Sequence, residues 1–94
     1  MTVKEIIELP IFFNVFIKDQ IFFNSLKDKF PDLLADLVSS KDNPTCSCRN
    51  RVKAYLIAKI NTEEDFFIKL LSEENIKNIY RRKGDIMKKR LGLE

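Results

Sequence analysis

Histidine is absent from the 94 residues, and with it goes the side chain that most often serves as a general base near neutral pH. Triads built around imidazole, and zinc sites that require it, are excluded together. Glycine occurs only at Gly84 and Gly92, too sparsely for the glycine-rich turns that cradle a dinucleotide or a triphosphate. With three prolines and two glycines beside eight phenylalanines, the composition fits neither a disordered tail nor collagen. Long apolar runs are missing too. The most hydrophobic stretch, Leu9 to Leu26, is interrupted by Asn14, Lys18, Asp19, Gln20, Asn24 and Ser25, which a bilayer interior rejects. No membrane span is expected. The first residues carry Glu5 and Glu8 rather than the basic start of a secretory signal, so an intracellular, cytoplasmic location is expected.

What remains is 45% hydrophobic and 33% charged, with 17 Lys or Arg against 14 Asp or Glu and a formal charge of +3. That composition suits one globular domain over residues 1–94. A chain this short hides a smaller share of its surface than a large one, so its core has to be dense or shared with a partner. Periodicity makes it all-α: a small orthogonal or irregular bundle of four to six helices.

Thr2 and Glu5 form a capping box for a first helix, Val3 to about Leu9. From Ile11 to Phe30 the apolar residues recur at intervals of three and four, which predicts one or two helical coils. Pro31 suits the first turn of a short helix that ends near Ser40 and turns Leu33, Leu34, Leu37 and Val38 to one side. Ser39 to Ser47 reads as a loop. A helix after Cys48 is lined by Val52, Tyr55, Leu56, Ile57 and Ile60. Asn61 or Thr62 caps the next helix, with Phe66, Phe67, Leu70 and Leu71 as its buried residues. Ser72 starts the last. The last helix gathers Ile76, Ile79, Tyr80, Ile86, Met87 and Leu91 on one side, and Gly84 marks a kink or a frayed last turn.

Two stretches point to binding. The block Ile11-Phe12-Phe13-Asn14 is echoed by Ile21-Phe22-Phe23-Asn24 ten residues on, which places two aromatic pairs on related faces of a helix. Such an arc is either the inner side of a central helix or an uncovered strip that receives a partner. On the second reading, Phe12, Phe13, Phe16, Phe22 and Phe23 are the protein-binding residues, and the partner is a larger protein or a second copy in a dimer. Between Lys77 and Arg90 lie seven cations and one acid, a local balance of +6 against +3 for the whole chain. Cations near a helix C-terminus favour its dipole and keep a surface soluble. They also neutralise phosphates, and for that role the candidates are Arg49, Arg51, Lys77, Arg81, Arg82, Lys88 and Lys89.

The cysteines stand in Asn43-Pro44-Thr45-Cys46-Ser47-Cys48-Arg49, where a loop becomes a helix. Two sulfurs cannot complete a structural zinc site, which takes about four ligands, unless a second copy supplies the other two. The reading from sequence is that both thiols are reduced, that Cys46 packs as a small apolar residue, and that Thr45 or Ser47 caps the helix. No metal or other cofactor is expected. The acidic groups Asp32 and Asp36, and Glu63 to Asp65, read as solvated faces rather than as catalytic pairs. The sequence therefore suggests a small non-enzymatic regulatory or adaptor protein that binds a larger protein through its aromatic helical surface and basic last helix. The alternative is an accessory protein that contacts DNA or RNA phosphates through Arg49, Arg51 and the Lys77 to Arg90 helix.

Overall fold

Thr2 stands in extended backbone, and its hydroxyl accepts the Glu5 amide at 3.2 Å, which starts α1 (Val3–Glu8) as the capping box predicts. The structure, a computed structural model, describes the backbone of residues 2–91 and the side chains of residues 2–84. After Pro10 the chain does not wind as an ordinary helix. Phe12–Phe16 forms a π-helical segment in which the Ile17 amide donates to the Phe12 carbonyl at 2.9 Å. Bonding to the fifth residue widens the turn. Phe12, Phe13, Phe16 and Ile17 all point into the interior as a result.

The helical run then breaks at Asp19. Its backbone is extended, its carboxylate accepts the Phe22 amide at 3.0 Å, and α2 (Gln20–Lys29) begins behind it. The two Ile-Phe-Phe-Asn blocks thus belong to separate segments. Pro31 opens a 3₁₀ turn, Pro31–Leu33, that runs directly into α3 (Leu34–Asp42), two residues longer than expected. That register turns Leu33, Leu37 and Ser40 inward and leaves Leu34 and Val38 exposed, so only half of the expected apolar side of α3 is interior.

The remaining helices are α4 (Cys48–Lys59), α5 (Glu64–Leu70) and α6 (Glu73–Leu91). Ser72 caps α6 by accepting the Asn75 amide at 3.2 Å, and α6 continues through Gly84 as helix. Thr62 does not cap α5: its hydroxyl donates to the Lys59 carbonyl and closes the end of α4. The architecture is a small all-α bundle, with α3 packed along α4 and α1 and α3 lying against the π segment. Among the described residues there is no strand, and no helix is long and apolar enough to cross a membrane.

The core overturns the aromatic docking surface. Phe12, Phe13, Phe16, Phe22 and Phe23 are 1, 2, 1, 1 and 7% exposed. They form the interior together with Ile7, Leu26, Leu37, Val52, Leu56, Phe67 and Ile79. Phe12 meets Phe22 edge to face at 5.8 Å, Phe16 meets Tyr80 at 6.3 Å, and a second group centres on Phe30, stacked on Phe67 and edge-on to Tyr55 and Phe66. Lys41 lies over Phe23, the least buried of the five, at 5.1 Å. Each ring pair adds about 0.5–1.5 kcal/mol beyond the area it buries. The chain covers its own rings. Among the described residues the exposed large apolar side chains are instead Ile21, Leu34, Val38, Ile68 and Tyr80. Tyr80 departs from its expected place on the inner side of α6, although one edge of its ring stays against Phe16.

Candidate functional site

Of the seven cations that the sequence offers for phosphate contact, three are engaged within the chain. Arg49, in the first turn of α4, donates from Nε to the Ser40 carbonyl at 3.0 Å, and its guanidinium lies 5.0 Å from the centre of the Phe13 ring. Sequence alone explains the need. The amide that would extend the helical ladder onto that carbonyl belongs to Pro44, which has no N–H. Ser40 is buried, its hydroxyl donates to the Leu37 carbonyl, and Arg49 supplies the missing donor. Arg51 donates to both oxygens of Asp36, and this partner raises its pKa above the usual arginine value. The pair is exposed and adds little to stability.

Arg82 is held more firmly. Its Nε and Nη2 donate to the two oxygens of Asp19, both at 2.8 Å, in a fork across 63 residues of sequence. The Asp19 side chain is 9% exposed and that of Arg82 31%. Burial by itself raises the Asp19 pKa. The Arg82 hydrogen bond, the Phe22 amide, the Arg82 charge and the Ile21 amide together outweigh burial and hold the carboxyl below its usual value. The same hydrogen bond raises Arg82 above the ordinary arginine range. One carboxylate therefore starts α2 and fastens α6. Asp19 is not among the candidates that the sequence offers; the polar trio Lys18-Asp19-Gln20 inside an apolar run is the signal that could have found it.

Lys77 and Arg81 remain open. Both are exposed, one helical turn apart on α6, and neither has an ion-pair partner among the described residues. Exposed Tyr80 is three residues from Lys77, on the same side of the helix, and next to Arg81 in sequence. The structure thus presents a stripe of Lys77, Tyr80 and Arg81, with Tyr80 steadied by Phe16. Lys88 and Lys89, with the expected apolar Ile86, Met87 and Leu91, lie outside the described side chains.

The cysteine junction differs from its sequence reading. Cys46 and Cys48 are joined in a disulfide, with Cα atoms 5.1 Å apart. Cys48, not Cys46, is the packed residue, at 0% exposure, and Cys46 is half-buried. Neither Thr45 nor Ser47 caps α4. The Cys48 amide donates to Cys46 Sγ at 3.2 Å, and Thr45 donates through its amide and hydroxyl to the Asn43 side chain. Asn43 so shapes an Asx turn immediately before the two cysteines. With its sulfurs joined, the pair offers no thiolate to a metal. Among the described residues no group of three His, Cys, Asp or Glu is placed to hold a metal ion.

Beside this junction lies an open groove of about 420 Å³, lined by Glu8, Phe13, Cys46, Arg49 and Lys53 among others. Lys53 Nζ sits 5.7 Å from the Phe13 ring centre, so two cations border one aromatic wall. No family model matches the chain, and no similar protein was found among curated proteins or solved structures.

Proposed function

We propose that the chain is a small non-enzymatic adaptor or regulatory protein that offers α6 to an acidic surface on a larger protein. The observation that carries this reading is the exposed Lys77, Tyr80 and Arg81 stripe on a bundle whose other aromatic residues are largely turned inward. Tyrosine and arginine are the residue types that most often anchor protein interfaces, because each combines apolar area with directed hydrogen bonds. The exposed pair Leu34 and Val38 adds apolar area that a protein partner can bury.

A nucleic-acid backbone is the second reading. It rests on the cation density of the Lys77 to Arg90 segment. It is weakened because Arg49, Arg51 and Arg82 have partners within the chain. Binding to immobilised polyglutamate and to a random-sequence DNA duplex, each at low and physiological salt, separates the two. The adaptor reading expects polyglutamate to be preferred, with binding at least ten-fold weaker after K77E/R81E and several-fold weaker after Y80A. Preference for the duplex, lost with K77E/R81E and indifferent to Y80A, would replace the adaptor by the nucleic-acid reading. Binding to neither probe, or binding unaffected by K77E/R81E, would remove α6 as the contact element.

A further inference from the structure

We infer that the Cys46–Cys48 disulfide is a thiol-exchange site for a small anionic thiol of the glutathione class. Three observations converge. The two sulfurs differ in access: Cys46 lines the groove, whereas Cys48 is fully buried at the first position of α4. An incoming thiolate therefore meets one sulfur only. The groove also has the charge pattern of such a ligand. Glutathione carries two carboxylates and one ammonium, and the groove is lined by the two cations Arg49 and Lys53 and the acid Glu8. The engagement of Arg49 with Ser40 and Phe13 fixes its position and leaves its charge in place. Finally, the leaving sulfur lies at the start of a twelve-residue helix, whose dipole offsets part of the cost of placing a thiolate at this buried position. A better leaving thiolate accelerates exchange.

The exchange balances without another reagent. A glutathione thiolate attacks Cys46 Sγ, a new S–S bond forms, and the Cys46–Cys48 bond breaks with its electron pair on Cys48, which then takes a proton. A second glutathione thiolate attacks the glutathione sulfur of the mixed disulfide, and Cys46 leaves as a thiolate and is protonated. The chain gains two electrons and two protons, and two glutathione molecules become one oxidised dimer. The reverse sequence restores the ring. The state of the junction thereby follows the ratio of reduced to oxidised glutathione around it.

The test uses the intact oxidised chain with reduced glutathione or with uncharged 2-mercaptoethanol. Aliquots are quenched in acid and the modified cysteine is mapped by mass spectrometry. The expected mixed disulfide is on Cys46, and it accumulates in C48A exposed to oxidised glutathione, while C46A reacts at least ten-fold more slowly. Normalised for thiolate concentration, glutathione should react at least three-fold faster than 2-mercaptoethanol. In K53E that ratio should fall at least five-fold while the 2-mercaptoethanol rate holds, which also reports that the junction keeps its fold. Modification of Cys48 instead, equal rates for the two thiols, or a ratio unchanged in K53E would overturn the assignment. So would a wild-type chain that retains two free thiols at every glutathione ratio.

Discussion

Phe16→Ala is expected to lower the unfolding free energy by about 4 kcal/mol, the range for removing a phenylalanine from a packed core being about 3–5 kcal/mol. The ring is 1% exposed and contacts Phe12, Phe22 and Tyr80 at centroid distances of 6.5, 5.6 and 6.3 Å. It is the point at which the π segment, α2 and α6 meet. Truncation leaves a cavity that all three would have to collapse to fill, and each is held by other contacts. A domain of this size has a total stability of about 5–14 kcal/mol, so the variant should be near the edge of folding. Urea denaturation followed by circular dichroism checks the value. The midpoint should fall steeply for Phe16→Ala and modestly for Phe16→Leu, where most of the volume remains. A loss below about 1 kcal/mol for the alanine variant would mean that the ring is not enclosed as described.

Asp19→Ala has the second largest expected effect, because one substitution removes two functions. Loss of an N-cap costs about 1 kcal/mol, and loss of a charge-assisted fork costs about 2 kcal/mol more. The sum lowers the melting temperature by roughly 15 °C at about 4–8 °C per kcal/mol for a small domain. Asp19→Asn separates the parts: it keeps a capping oxygen and loses the charge, so it should fall between wild type and Asp19→Ala. Arg82→Ala should match it closely.

Acidity gives an independent check. The Asp19 pKa is lowered in the folded chain, so its contribution is complete above the unfolded value near 3.9 and is lost as pH falls through the lower folded value. Wild type should therefore lose more stability than Asp19→Asn when the pH is brought from 5 to below 3. Equal acid sensitivity in the two proteins would show that the carboxylate is not held by Arg82. Arg82 itself, raised above the arginine range, stays charged throughout.

Much of the fold was legible because its signals are local. Thr2, Pro31 and Ser72 each mark a helix start within three or four residues, and that is the range over which a cap or a fixed φ acts. The break at Asp19 was harder. Its carboxylate competes with an apolar periodicity that continues on either side, and its bond to Arg82 is set by the fold rather than by neighbours. The five phenylalanines were recognisable as one apolar arc, but periodicity identifies a face and not what lies on it. In the cysteine junction, compartment and spacing argued for free thiols. The bond between them is a feature of the folded loop, which the Asn43 side chain shapes through Thr45, and spacing alone does not reveal it. The basic candidates divided along the same line: Lys77 and Arg81 are on the outside as helical spacing suggests, whereas partners distant in sequence claimed Arg51 and Arg82.

The fork between Asp19 and Arg82 also has a kinetic consequence. Neighbouring helices in a bundle find each other early because the intervening chain is short, whereas closing a loop of 63 residues carries a larger entropic cost before any contact rewards it. This clasp is therefore expected to shut after the barrier has been crossed. Weakening it should leave the refolding arm of a chevron nearly unchanged and quicken the unfolding arm, so that the persistence of the native chain, more than its speed of assembly, depends on one carboxylate.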